Sequence, residues 1–207
     1  MSKIKDDLID AIKESTGVHL TKGNDPDLII QRVPIGIPLL DKLLGGGFPR
    51  GRMVLIAGDY SSCKTFLCQL LIKAVQSVGG KAVYVDVEHA YDPEWFVKTG
   101  VNIDELYVCQ PDTGEETIDI VVKLLEEGVD LIVLDSIAVM TPNVEAEESA
   151  DKSTMGLLAR LVNKGLRKFK TANKKNTILV AINQLRDSIG GYGINEFMPG
   201  GKGQGYA

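Results

Sequence analysis

No apolar run in this chain is long enough to cross a bilayer, which excludes a helical membrane span within it. The residues after Met1 mix charge with isolated apolar positions, so no signal peptide is legible there. Cysteine is scarce. Cys63, Cys68 and Cys109 are odd in number and lack metal-ligand spacing, so they read as reduced thiols in a cytosolic setting. Internal repeats and low-complexity tracts are also missing. One long stretch lacks acidic residues altogether. Lys152 to Arg186 holds nine Lys or Arg and no Asp or Glu, in a chain whose net charge is −5. An acidic protein is a poor overall match for nucleic acid, whereas a confined basic segment suits a local anion-binding face. The same segment reads equally as a solvated helix face.

What is present is an ordinary globular composition, 44% hydrophobic and 25% charged over 207 residues. That length suits one α/β domain with a small N-terminal appendage. Ile4, Leu8, Ile9 and Ile12 are spaced as a helical stripe that must dock on something, and 19–27 reads as a polar linker. Residues 1–30 are therefore expected to be an N-terminal helix and linker serving assembly, and 31–207 the core. A short strand or turn leads into a short helix over 33–44, and glycines end it at 45–51. Apolar or β-branched runs at 53–57, 82–87, 106–109, 131–134 and 177–182 predict buried strands. Helical patterns at 64–78, 93–99, 115–127 and 153–171 lie between them. Buried strands alternating with helices predict a twisted, mainly parallel sheet covered on both faces. Ligands in such sheets bind outside the carboxyl ends of the strands.

The first of these strand ends carries Gly58, Asp59, Tyr60, Ser61, Ser62, Cys63, Lys64 and Thr65, with Phe66 opening the next helix. This fits the phosphate-loop pattern G-x-x-x-x-G-K-[ST] at every defined position but one. Successive amides and the helix N-terminus cradle phosphates, Lys64 neutralises them, and Thr65 ligates Mg²⁺. Cys63 is the departure, standing where glycine would let backbone approach phosphate closely. Its place beside Lys64 at a helix N-terminus also predicts a reactive thiol that bound ATP protects; a small residue that merely fits is the alternative. Asp135 ends another apolar strand, where a carboxylate holds Mg²⁺ through its water shell or simply starts a turn. Glu88 ends a third, placed to orient and deprotonate a water attacking a γ-phosphate. Asp86, two residues earlier, reads as structural, and His89 as a packing or hydrogen-bonding residue. Trp95 could stack on an adenine ring, but on composition alone it reads as core. In 153–171, Leu158, Leu161, Val162, Leu166 and Phe169 form an apolar stripe, while Arg160, Lys164, Arg167 and Lys168 repeat on another face. That row has the pitch of a phosphate-tracking surface. Gln184, at a strand tip before a glycine-rich loop, is placed to sense a γ-phosphate, or with Asn183 to form a simple cap.

Together these motifs resemble the RecA family of recombinases, over roughly 34–207. The matching stretches are Gly51 with Arg52 and the loop from Gly58 to Thr65; Val85 to Pro93; and Val133 to Ser136 with Thr141 and Pro142. Met155 to Leu157 and Asn183 to Arg186 complete the set. The resemblance implies a P-loop NTPase core of RecA type using ATP and Mg²⁺ at Lys64, Thr65 and Asp135. Glu88 becomes the catalytic base, Asp92 and Trp95 face the adenine, and Gln184 is the γ-phosphate sensor. It further implies single-stranded and duplex DNA as partners, self-association into a filament or ring, no membrane, and a bacterial or phage-infected cytosol. Two DNA loops would fall at about 143–154 and 187–201. Met155 and Ile189 would wedge between bases, Arg160 and Arg167 would contact the backbone, and Gly200 and Gly201 would close the second loop. The first loop departs from the family in its acidity, with Glu145, Glu147, Glu148 and Asp151. The second is about one residue short, leaving Tyr192 or Phe197 as its aromatic. In the family the sheet continues past Ala207, so a fragment or a reduced protein with weak hydrolysis of its own is expected. The function implied is homologous pairing and strand exchange. The alternatives are a RecA-fold repair or regulatory ATPase without strand exchange, and a non-hydrolysing ATP-binding assembly module.

Overall fold

A computed structural model of the chain describes residues 6–143, 156–187, 196–201 and 204. It divides into two units, Met1–Gln31 and Arg32–Ala207. The smaller contains helix α1, Asp6–Thr16.

In the larger unit the β-branched and aliphatic runs become strands because both of their faces are covered. Two short strands, β1 (Arg32–Val33) and β2 (Phe48–Pro49), pair antiparallel around helix α2 (Pro38–Leu43). The five strands that follow are β3 (Met53–Gly58), β4 (Ala82–Asp86), β5 (Leu106–Cys109), β6 (Leu131–Asp135) and β7 (Ile178–Gln184). They form one parallel sheet in the order β3-β7-β6-β4-β5. Helices α3 (Lys64–Gln76), α4 (Pro93–Thr99), α5 (Gly114–Glu127) and α6 (Leu157–Ala172) connect or flank them. A last short pair, β8 (Arg186–Asp187) and β9 (Glu196–Phe197), runs antiparallel beyond β7.

Side-chain alternation along the strands separates two apolar cores. Leu131 and Val133 of β6 face one core with Cys68, Leu71, Ile72 and Val75 of α3 and Phe96 of α4. Ile132 and Leu134 face the other, with Ile118, Val121 and Leu125 of α5 and Leu161, Val162, Leu166 and Phe169 of α6. Helices therefore cover both faces of a parallel sheet, the α/β arrangement expected of 31–207.

Differences from the expected elements have local causes. Strand β2 lies where only a glycine turn was expected, pairing with β1 at the expected short strand or turn. A Cβ on Gly47, whose φ is 126°, would overlap the Val33 carbonyl, so this crossing admits glycine alone. Helix α6 starts at Leu157 rather than 153 because Gly156 precedes it in the left-handed region at φ 90°. Strand β7 starts at Ile178 because the Thr177 amide is held by the Asn173 side chain at 3.1 Å.

Because all five strands are parallel, their carboxyl ends share one edge. Asp86 of β4 sits in register with Asp135 of β6, and Gly58 of β3 with Gln184 of β7. The chemistry-bearing residues read from the sequence come together there.

Candidate nucleotide-binding site

The loop between β3 and α3 turns on two residues in the left-handed region, Ser61 at φ 55° and Cys63 at φ 62°. Cys63 is the residue before α3 and makes no side-chain capping bond. Glycine suits this position for its backbone conformation as well as for close approach; a side chain there costs about 1–2 kcal/mol. The Lys64 ammonium lies against its own loop, donating to the carbonyl oxygens of Asp59 at 2.6 Å and Gly58 at 3.1 Å and to Ser62 Oγ at 3.3 Å. Ser62 Oγ in turn donates to Asp59 O at 2.7 Å.

Across the edge, Thr65 Oγ1 donates to Asp135 Oδ2 at 2.8 Å, and the hydroxyl of buried Tyr84 donates to the same oxygen at 2.7 Å. Burial raises the Asp135 carboxyl above the usual aspartate range; the Tyr84 and Thr65 bonds oppose that rise, and Glu88 and Asp86 add to it. The Tyr84 phenol is pushed up by burial first and by Asp135 next, so it stays a donor. The hydroxyl and carboxylate oxygens of Thr65 and Asp135 are hard donors that suit Mg²⁺. Among the described residues no cluster of three His, Cys, Asp or Glu could cage a metal. A magnesium ion here would complete its shell with water and phosphate oxygens, its usual habit.

Glu88, exposed at the tip of β4, accepts two bonds on one oxygen. Ser136 Oγ donates to Oε1 at 2.6 Å and Gln184 Nε2 donates to it at 3.1 Å. The turn presenting Glu88 is built by Asp86, which is fully buried. Its carboxylate accepts from Ala90 N at 3.1 Å, Tyr91 N at 2.9 Å and Gln110 Nε2 at 2.8 Å, while His89 takes φ 53°. Asp86 is structural, as its neighbours require. Asp92 caps α4, accepting from Glu94 N at 3.0 Å and Trp95 N at 3.3 Å. Trp95 is 51% exposed, which corrects its compositional reading as core; Phe96 fills that role. Tyr60 and Phe66 are exposed as well.

A family model for the RecA N-terminal domain matches residues 6–206. The chain belongs to the RecA family. It is 45% identical over 190 residues to Protein RecA of Bacillus subtilis (strain 168), covering 90% of this chain and 55% of that protein. Protein RecA of Bacillus pumilus (strain SAFR-032) gives the same figures. Protein RecA of Brevibacillus brevis is 46% identical over 190 residues, or 90% of this chain and 54% of that one. The chain thus spans about half the length of the curated relatives it matches.

The DNA-facing residues that the RecA resemblance suggests are placed in part. Arg160, Lys164 and Arg167 are exposed on α6 opposite its apolar stripe, whereas Lys168 is paired with Asp119 at 2.9 Å. Gly200 and Gly201 pack beside the first half of α6, with Val162 and Ala159 as their neighbours. Arg160 is therefore near them along the helix, and Arg167 lies about two turns further on. Met155 and Ile189 lie outside the described residues, as do the four acidic residues of the first loop and Tyr192.

Sequence reasoning missed four participants at this edge: Tyr84, Ser136, Gln110 and Gln204. Buried Asn183 donates through Nδ2 to Pro199 O at 2.9 Å and to Gln204 Oε1 at 2.7 Å, and its Oδ1 accepts from Gln184 N at 2.8 Å. It ties the strand tip carrying Gln184 to the segment that follows the loop. No spacing in the sequence announces such partners, because they come from distant segments of the chain. No helix among the described residues is long and apolar enough to cross a membrane.

Proposed function

We propose that this chain binds Mg-ATP on the loop from Gly58 to Thr65 and hydrolyses it as part of recombinational DNA repair. In this reading, filaments of the protein on single-stranded DNA promote homologous pairing and strand exchange with a duplex. One observation carries it: Lys64, Thr65, Asp135, Glu88 and Gln184 converge on a single sheet edge from four different strands. A bound magnesium would supply charge neutralisation and orientation of the phosphate oxygens.

The chain's own residues do the remaining work. Amides around 61–65 and the start of α3 hold the phosphates, with Lys64 leaving its loop carbonyls for them. Thr65 and Asp135 hold the metal. Glu88 accepts the proton of the attacking water, and Gln184 reports the γ-phosphate to the loop after β7. Trp95, exposed on α4, and Asp92, which caps that helix, face the adenine, and the backbone from Gly58 to Phe66 lines the triphosphate. Arg160 and Arg167 serve DNA phosphates, Gly200 and Gly201 close the second loop, and Met155 and Ile189 separate bases. Residues 1–30 serve assembly between subunits, in a bacterial or phage-infected cytosol.

The test is ATP hydrolysis with and without single-stranded DNA, for wild type, Lys64→Ala and Glu88→Gln. Stimulation by DNA in wild type, lost in both variants, is expected. Hydrolysis that ignores DNA, or that survives both substitutions, would remove the assignment. Electron microscopy with a non-hydrolysable ATP analogue should show filaments on DNA.

A further inference from the structure

The residue after the metal-supporting acid has no role in the reading above, yet its contacts single it out. Ser136 is fully buried, while the glutamate it touches is exposed. Its hydroxyl gives Glu88 Oε1 a bond of 2.6 Å, shorter than the 3.1 Å bond from Gln184 to the same atom. Around it the tips of β4 and β6 are already stitched: Val87 N and Glu88 N donate to the Asp135 carbonyl at 2.8 and 3.3 Å. The backbone of Glu88 is thus fixed by Asp135 and its carboxylate by Ser136. Among the described residues, Oε2 of Glu88 makes no hydrogen bond, and the residue is exposed.

We propose that Ser136 is a positioning residue for hydrolysis, anchoring Oε1 of Glu88 so that Oε2 is presented to the attacking water. This rests on the assignment of Glu88 as general base. An exposed glutamate has several rotamers, and ordering it at the moment of reaction costs side-chain entropy. A buried hydroxyl on a rigid strand end meets that cost during folding. Oε2 then takes the proton of the water whose oxygen bonds to the γ-phosphorus. The bridging P–O bond breaks and ADP leaves with the bridging oxygen. The two donors on Oε1 differ in kind. Gln184, on the partly exposed tip of β7, is free to turn from Glu88 towards a phosphate. Ser136 does not move, so the base keeps its aim while the sensor changes partner.

The experiment compares wild type, Ser136→Ala and Ser136→Cys in the full chain with Mg²⁺ and single-stranded DNA. Four quantities are read: kcat and KM for ATP, binding of fluorescent ADP, and binding of ADP with aluminium fluoride. The last complex mimics the transferring phosphoryl group and its in-line water. For Ser136→Ala, kcat should fall about tenfold or more, the scale of a mispositioned catalytic group, with KM and ADP binding nearly unchanged. Affinity for ADP with aluminium fluoride should fall with kcat, and Ser136→Cys, a weaker donor of similar size, should recover part of both. In a Glu88→Gln background, Ser136→Ala should cost nothing further. Wild-type kcat in Ser136→Ala, equal loss of ADP binding and kcat, or a full additional loss in Glu88→Gln would each overturn the proposal. If wild type binds ADP without turnover, equal aluminium fluoride affinities in wild type and Ser136→Ala overturn it as well. A wild type that binds no nucleotide would instead refute the parent assignment, and this proposal with it.

Discussion

Replacing Cys63 with glycine tests the phosphate loop through its backbone. Cys63 holds φ 62°, a conformation that costs a non-glycine residue about 1–2 kcal/mol. Its thiol is exposed and makes no capping bond, so removing the side chain leaves no cavity and breaks no side-chain hydrogen bond. The backbone bond from Leu67 N to Cys63 O at 3.1 Å survives the change. Against the relief stands the larger unfolded-state entropy of glycine, about 0.5–1 kcal/mol. The net expectation for Cys63→Gly is a gain of about 0.5–1 kcal/mol. For a chain of this size that is a rise in Tm of roughly 1–4 °C. Cys63→Val, with a β-branched side chain in the same conformation, should lose at least about 1 kcal/mol. Urea unfolding of the three proteins, with ADP titration alongside, orders them as Gly, Cys, Val. A glycine variant no more stable than wild type, or a valine variant equal to it, would refute the reasoning.

Asp86→Ala should destabilise by about 3 kcal/mol, because three donors lose their acceptor in a buried turn; thermal melting checks it, and hydrolysis should fall as Glu88 loses its platform. Asp135→Asn should make the nucleotide-free protein more stable at neutral pH, by about 1 kcal/mol, while abolishing Mg²⁺-dependent nucleotide binding. The sign follows from burial, which raises this carboxyl in the folded state. Its contribution is intact below the usual aspartate range and is lost as pH rises through the raised value, so the advantage of asparagine should vanish in acid. Urea titrations at several pH values decide this. A thiol alkylator should modify exposed Cys63 before buried Cys68 and half-buried Cys109, and Mg-ATP should slow it; equal rates with and without Mg-ATP would end that idea.

Strands and helices were legible where burial is two-sided and periodic. The run at 106–109 matches β5 residue for residue, and the pattern at 93–99 matches α4, because Asp92 and Pro93 mark its start and Gly100 its end. The loop from Gly58 to Thr65 and the position of Asp135 stood out because each lies at the end of an apolar strand. Strand β2 and its pairing with β1 did not, since two-residue strands carry no period and the glycines before it read as a plain turn. Tyr84 and Ser136 were hidden for a different reason. Tyr84 passes for an aromatic in a buried strand, and Ser136 for a turn residue. Their chemistry exists only once β4 and β6 lie side by side in register.

The way Lys64 is braced has a consequence for how this loop can vary. Its three acceptors are two main-chain carbonyls and one hydroxyl, so the bracing asks nothing of the side chains at Asp59 and Tyr60. The brace itself constrains Gly58, Ser62 and Lys64, and it leaves the side chains of Asp59 and Tyr60 available for contacts outside the loop.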